Sequence, residues 1–262
     1  VPVVKPNNEI RICADYSRTV NQYCDVPQYP LPRLEDVLSS LRGGRHFSTL
    51  DIFNAFLHVP TTPETSEILT INTPKGLYRP KRMIFGISAA PATWQKYIHN
   101  LLVDIPGLCV VHDDIILTAT TFEEHLRRLT MLFKRLKDNN LHVNYNKCKF
   151  LQDTVIYLGY KLDANGIHKT TSKIEAVYKF PEPKDVKQTR TFLGMVSFYS
   201  RFFPQLATMS YPLHQLTHKG VPFTWSKECA AAFSKIKQEI TSDRILAHYD
   251  PTKPLYLSVD AS

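Results

Sequence analysis

The residues of this chain best suited to chemistry are carboxylates in apolar surroundings. CVVHDDIIL, residues 109–117, sets Asp113 and Asp114 between two runs of apolar, mostly β-branched side chains. STLDIF, residues 48–53, sets Asp51 near the end of another such run. Two adjacent acids between strands suit a solvated hairpin turn, because Asp tolerates turn geometry. The apolar flanks argue instead for strands packed on a core with acids at their ends. If the three carboxylates converge, their repulsion must be offset: two unit charges about 4 Å apart at an effective dielectric near 20 repel by roughly 4 kcal/mol. Protonation relieves that for one acid, whereas a pair of hard cations relieves it for all. Carboxylate oxygens suit Mg²⁺, which keeps part of its water and takes further ligands from substrate phosphates. Two such ions about 3.5–4 Å apart stabilise the attacking and leaving oxygens of an in-line phosphoryl displacement. The chemistry expected is nucleotidyl transfer.

Those acids need elements to carry them. VPVVKPNNEIRICADYS alternates around Asn7-Asn8 and predicts a β-hairpin. LEDVLSSLRGG predicts a short helix stopped at Gly43-Gly44, and HFSTLDIF a strand followed by a helical turn at NAF. ILTIN and GLYRPKRMIF are strand-like. SAAPATWQKYIHNLLVDI predicts a helix with Ser88 as N-cap and Pro91 in its first turn. TFEEHLRRLTMLFKRLKDNN carries a Thr121/Glu124 capping box, with Leu126, Leu129, Phe133 and Leu136 on one face. LHVNY and VIYLGYKL predict strands, and Asn165-Gly166 a turn. After Pro181 and Pro183 the pattern shifts to helices, TRTFLGMVSFYSRFF and ECAAAFSKIKQEI, before a last strand, LYLSVDAS. The fold class expected is α+β: an antiparallel sheet backed by helices, then a helical unit.

At 262 residues the chain suits two compact units. Thirty-two Lys and Arg against 24 Asp and Glu give +8, which favours polyanionic partners. Cys13, Cys24, Cys109, Cys148 and Cys229 are odd in number and lack a CxxC pair, which argues against a disulfide framework or zinc site and for a reducing compartment. No signal-peptide pattern opens the chain and no apolar run is long enough to cross a membrane, so an intracellular setting is expected, in a cytoplasmic particle or the nucleus, and no secretion.

Several stretches resemble, nearly end to end and in order, the reverse transcriptase region of a Gypsy-type long-terminal-repeat retrotransposon Pol polyprotein. IRICADYS resembles the family's fingers strand and STLDIFNAF its first catalytic motif. RMIFGISAAPATWQK resembles the nucleotide-pocket motif LPFGLxxAPA, and VHDDI stands where the family has Tyr-x-Asp-Asp. LHVNYNKCKF resembles the lysine motif and YLGYKL the primer-grip hairpin. FLGMVSFYSRF resembles the thumb, and the end of the chain the lead into ribonuclease H. The resemblance implies a right-hand polymerase: partial fingers over 1–43, a palm over 44–163 with interleaved fingers elements at about 60–85, a thumb over 164–220, and a connection with the first ribonuclease H strand over 221–262.

The implied activity is RNA-directed DNA polymerisation, the alternative being a decayed retroelement remnant that at most binds nucleic acid. Asp51, Asp113 and Asp114 would be the catalytic and metal-binding acids for two Mg²⁺ ions, with Mn²⁺ as an alternative. Lys5 and Arg11 would reach the incoming triphosphate. Phe56 would lie under the sugar as a steric gate, or serve as a core aromatic, or both. Phe85 and Gly86 would floor the nucleotide pocket, Gly allowing close backbone approach. Lys147 would stand near the leaving pyrophosphate as an acid, or be a surface lysine. Leu158, Gly159 and Tyr160 would grip the primer, or form a plain β-turn. Lys187, Arg190 and Arg201 would bind template–primer by its backbone, with Phe192 and Leu193 in the core. Partners implied are an RNA or DNA template with primer, deoxynucleoside triphosphates, and protease, ribonuclease H and integrase as polyprotein neighbours. Asp260 matches the first ribonuclease H carboxylate, but without partner acids no ribonuclease H activity is expected. Two departures stand out: Val111-His112 replaces the aromatic and variable residues of the acidic box, and Ile84 replaces the pocket proline.

Overall fold

The computed structural model describes residues 1–4, 8–41, 43–242, 244 and 246. Lys5, Asp260 and the strand expected over LYLSVDAS lie outside the described residues. The chain divides into two compact units, Val1–Asp153 and Thr154–Ser262.

The first unit opens with β1 (Pro2–Val4) paired antiparallel to β2 (Ile10–Ile12), as the alternation predicts. Two short helices follow, α1 (Val20–Tyr23) and α2 (Leu34–Ser40); at the second, the Asp36 carboxylate accepts the Arg33 N–H. β3 (His46–Asp51) leads into a single-turn helix at Ala55–His58. Then come α3 (Pro63–Ile68), β4 (Ile71–Thr73), β5 (Gly76–Tyr78) and α4 (Ala90–Leu102). β6 (Leu108–Val111), β7 (Asp114–Ala119), α5 (Phe122–Asp138) and β8 (Lys149–Gln152) complete the unit.

Strands β6, β7, β3 and β8 form one antiparallel sheet in that order. One face buries Leu50, Val110, Ile115 and Leu117 against Trp94, Ile98 and Leu102 of α4 and Leu129, Leu132 and Leu136 of α5. The α+β expectation holds, and the Thr121 hydroxyl caps α5 by accepting the Glu124 N–H at 3.2 Å. Several local readings shift. α3 was not foreseen; Thr62 caps it and Pro63 opens it. Ser88 is not the cap of α4, whose cap position falls on Ala89. On α5 the buried stripe is His125, Leu129, Leu132 and Leu136, while Leu126 and Phe133 are exposed. LHVNY is not a strand: only Val143 bridges Ile52, and β8 begins at Lys149.

The second unit starts with a three-stranded antiparallel sheet, β9 (Val155–Tyr157), β10 (Tyr160–Asp163) and β11 (Gly166–Lys169). The Asp163 carboxylate accepts the N–H groups of Asn165 and Gly166 and closes the second turn. These strands pair among themselves, in keeping with a compact unit that begins at Thr154. Helices α6 (Thr171–Tyr178), α7 (Val186–Ser197), α8 (Leu206–Gln215) and α9 (Lys227–Ile240) follow. α7 begins earlier than TRTFLGMVSFYSRFF suggested, because Asp185 caps it through the Gln188 N–H at 2.7 Å. Phe192 and Leu193 are buried as expected, the Phe192 ring 4.6 Å from that of Phe233.

Candidate active site

The three acids meet at one end of the first unit's sheet. In the antiparallel register of β3 with β7, Asp51 lies directly opposite Asp114, so both side chains leave the same face as a cross-strand pair. β6 and β7 close on Val111 opposite Asp114, leaving His112 and Asp113 as a two-residue turn. The Asp113 carbonyl accepts the Ile52 N–H at 2.8 Å, which continues the ladder past Asp51. Residue spacing in the sequence thus translates into adjacency across strands.

The charges feel one another. Burial, followed by the charges of Asp113 and Asp51, pushes the Asp114 carboxyl above the ordinary carboxylate range. The Asp51 carboxylate, its side chain 15% exposed, pairs with the Lys147 ammonium at 2.8 Å. That hydrogen bond, reinforced by all three acids, pushes Lys147 up and keeps it protonated. Lys147 reaches Asp51 from a single-turn helix at Tyr145–Lys147, whose preceding residue Asn144 donates its N–H to the Asp51 carbonyl. Among the described residues, no three His, Cys, Asp or Glu side chains are gathered into a metal-ligand set. The acids have the donor chemistry a hard cation requires, oxygen only, and Lys147 supplies a positive charge among them.

A cleft of about 560 Å³ in the same unit is lined by Glu9, Arg11, Ile84 and Phe85 together with Phe53 and Asn54, which follow Asp51 in the chain. The Arg11 guanidinium lies 4.5 Å from the centre of the Phe85 ring, and the half-buried Phe56 ring packs 5.1 Å from the same ring. Gly86 has a φ of +111°, and a Cβ there would stand 2.0 Å from the Ala14 carbonyl oxygen. Its close approach is to the chain's own backbone. Asn21 ties this loop at two points, donating to the Gly86 carbonyl and accepting the Ser88 N–H, both at 2.9 Å. Sequence reasoning missed Asn21, whose only signal is a polar residue within a short helix.

In the second unit, Leu158 (φ +47°) and Gly159 (φ +80°) form a two-residue turn between the paired Tyr157 and Tyr160. Left-handed φ at both positions marks a primed hairpin turn; leucine is an unusual occupant, and backbone held this way clusters at functional sites. The buried Tyr160 ring stacks 5.0 Å from Phe198 and its hydroxyl donates to the Phe198 carbonyl at 2.8 Å. Lys173, also missed from sequence, lies 3.4 Å from the centre of the Phe198 ring. Lys187, Arg190 and Arg201 are exposed, and Arg190 donates to the Thr217 carbonyl at 2.8 Å. All five cysteines are unpaired. Among the described residues no helix is long and apolar enough to cross a membrane.

An antiparallel sheet on two helices, with acids at one end, has the form of a polymerase palm. The family model described as "Reverse transcriptase (RNA-dependent DNA polymerase)" matches residues 3–162, and the chain belongs to that family. A second model, "RNase H-like domain found in reverse transcriptase", matches residues 225–262. The chain is 31% identical over 99% of its length to the Transposon Tf2-3 polyprotein and to the Transposon Tf2-7 polyprotein of Schizosaccharomyces pombe. It spans about a fifth of those relatives, 20% of each. Among solved structures, a foamy viral protease-reverse transcriptase in complex with double-stranded DNA aligns with a TM-score of 0.87 at 26% identity, covering 95% of this chain and 44% of that one. The foamy viral protease-reverse transcriptase in complex with RNA/DNA hybrid aligns at 0.80 and 26% identity, covering 94% of this chain and 34% of that one. The right-hand polymerase architecture expected from the sequence is therefore the fold of this chain.

Proposed function

We propose that this chain is the polymerising portion of a retroelement reverse transcriptase, extending the 3′-hydroxyl of a primer on an RNA or DNA template with deoxynucleotides. The observation that carries this reading is the register of Asp51 opposite Asp114, with Asp113 in the adjoining turn. Asp51, Asp113 and Asp114 would hold two Mg²⁺ ions, or Mn²⁺, which when bound supply the charge that stabilises the attacking and leaving oxygens. The primer 3′-hydroxyl gives its proton to solvent water as its oxygen bonds to the α-phosphorus, and the bond from that phosphorus to the bridging oxygen breaks, releasing pyrophosphate.

The chain's own residues prepare that exchange. Arg11, fixed over Phe85, offers a positive charge to the triphosphate in the cleft. Phe56, braced on Phe85, narrows the space a sugar can occupy. Lys147, held protonated by its hydrogen bond to Asp51, would be the residue placed to give a proton to the departing pyrophosphate. The Leu158-Gly159 turn is the reading's primer grip, and Lys187, Arg190 and Arg201 would meet phosphates of the duplex by charge and shape. Protease, ribonuclease H and integrase would be neighbours in a longer polyprotein acting inside the cell.

Extension of oligo(dT) on poly(rA) with Mg²⁺ tests the reading. Incorporation is expected, and Asp113→Asn abolishes it while leaving primer–template affinity within about twofold, because the acid acts on charge and not on duplex contacts. Binding without incorporation under Mg²⁺ and Mn²⁺ would leave a nucleic-acid-binding remnant, the reading favoured by Val111-His112 in the acidic box.

A further inference from the structure

The turn that carries Asp113 does not hold itself. Of its two central residues, Asp113 is tied to β3, whose Ile52 donates its N–H to the Asp113 carbonyl at 2.8 Å, whereas His112 has no partner in the strand register and takes a left-handed φ of +55°. Left-handed φ is uncommon for any residue but glycine, although histidine tolerates it better than most, and such backbone persists where its surroundings hold it. The surroundings here are two consecutive side chains of α4. Gln95 Oε1 accepts the His112 N–H at 2.7 Å, and Gln95 Nε2 donates to the Val110 carbonyl at 3.0 Å. Trp94 Nε1 donates to the His112 carbonyl at 2.8 Å.

Gln95 is 1% exposed and Trp94 is fully buried. A buried carboxamide needs both of its ends satisfied, and the backbone of one turn satisfies this one. Trp94 belongs to the apolar cluster under the sheet, which fixes its ring and so the direction of its N–H. The same helix follows directly on the loop that Asn21 holds at Gly86 and Ser88. One element therefore grips the acidic turn and follows in the chain on the loop after Phe85, which lines the cleft.

We propose that Gln95, assisted by Trp94, is a positioning residue for Asp113: the pair locks His112 in its left-handed conformation and thereby sets where the next carboxylate stands. Gln95 touches no reacting group; it acts through two main-chain bonds on the turn. This rests on the nucleotidyl-transfer reading, so its test includes a signal independent of turnover.

The test uses the full 262-residue chain, with Mn²⁺ affinity read by electron paramagnetic resonance and extension kinetics read on poly(rA)·oligo(dT). Gln95→Met keeps length and apolar volume but loses both hydrogen bonds. Its kcat is expected to fall roughly 10–100-fold, the scale for a displaced catalytic group, with KM for primer–template within about twofold. Mn²⁺ affinity falls about tenfold. His112→Gly in the Gln95→Met background restores at least about half of both losses on a logarithmic scale, because glycine adopts the turn's φ without help.

A merely structural amide would lower the melting temperature and leave Mn²⁺ affinity and kcat of the folded protein unchanged; that result overturns the proposal. So does a double variant no better than Gln95→Met alone. If Gln95→Met does not fold, Trp94→Phe, which removes one donor and keeps most of the ring, carries the same comparison and the same rescue. A wild-type chain that neither binds Mn²⁺ nor extends primer defeats the nucleotidyl-transfer reading and this proposal with it. A competent wild type matched by Gln95→Met defeats the proposal alone.

Discussion

His125 should make the first unit's stability depend on pH in a way that one substitution removes. Its Nε2 lies 2.7 Å from the Ser48 hydroxyl, and both residues are fully buried. Ser48 stands on β3 where the register with β8 shifts, and its oxygen accepts the Leu151 N–H at 3.1 Å. The pair thus pins β8 and α5 to the strand that ends in Asp51. Burial, with the nearby His46 and Arg128 adding to it, pushes the imidazole down to about 4, against an ordinary value of 6.5. A folded value below the unfolded one means that the unfolded chain takes its proton first. Stability from this residue is therefore complete above pH 6.5, is lost as pH falls, and levels off near pH 4. At 1.36 kcal/mol per unit the loss amounts to about 3 kcal/mol.

The measurement is urea unfolding from pH 7 to pH 4, followed by fluorescence in a Trp225→Phe background so that Trp94 alone reports on the first unit. His125→Gln is neutral throughout this range. It should start less stable and then lose about 3 kcal/mol less than the parent across the interval. Contributions common to both proteins cancel in the difference. Parallel curves for parent and variant would refute a neutral, buried His125 and with it the pin on β3.

Gly86→Ala should be poorly tolerated, because the added methyl meets the Ala14 carbonyl at 2.0 Å and φ stays at +111°; a rise in the nucleotide KM of at least about tenfold, by steady-state extension, checks it. Gly159→Ala places a Cβ 2.6 Å from Lys173 Nζ and 2.8 Å from the Phe198 ring at a φ of +80°. Primer–template affinity, by fluorescence anisotropy, should weaken about tenfold while Mn²⁺ affinity of the first unit is unchanged.

The parts of this molecule legible in its sequence are those governed by local rules. Acids ending apolar runs brought out Asp51, Asp113 and Asp114 as residues at strand ends, and the register of β3, β6 and β7 places them at one end of the sheet. The Thr121 cap and the Asn165-Gly166 turn follow from neighbouring residues alone. What escaped is set by tertiary contact. Leu126 and Phe133 read as core on α5, yet the stripe rotates to bury His125 because Ser48 offers it a partner. Ser88 reads as a cap, yet its N–H is taken by Asn21, far away in sequence. Trp94 and Gln95 look like an ordinary helix segment, and their bonds to His112 depend on a turn 17 and 18 residues later. The ion pair of Lys147 with Asp51 spans 96 residues. Sequence resemblance put that lysine near the chemistry, but only the fold supplies its partner.

Polymerase chemistry requires that Asp51, Asp113 and Asp114 share divalent cations, and Mn²⁺ anomalous scattering addresses that directly. Crystals of the chain with template–primer, an unreactive deoxynucleotide analogue and Mn²⁺ should show metal density between the three carboxylates and the triphosphate, with Lys147 Nζ moved off Asp51. Bound nucleic acid with no anomalous density at those carboxylates, and Lys147 still on Asp51, would contradict it.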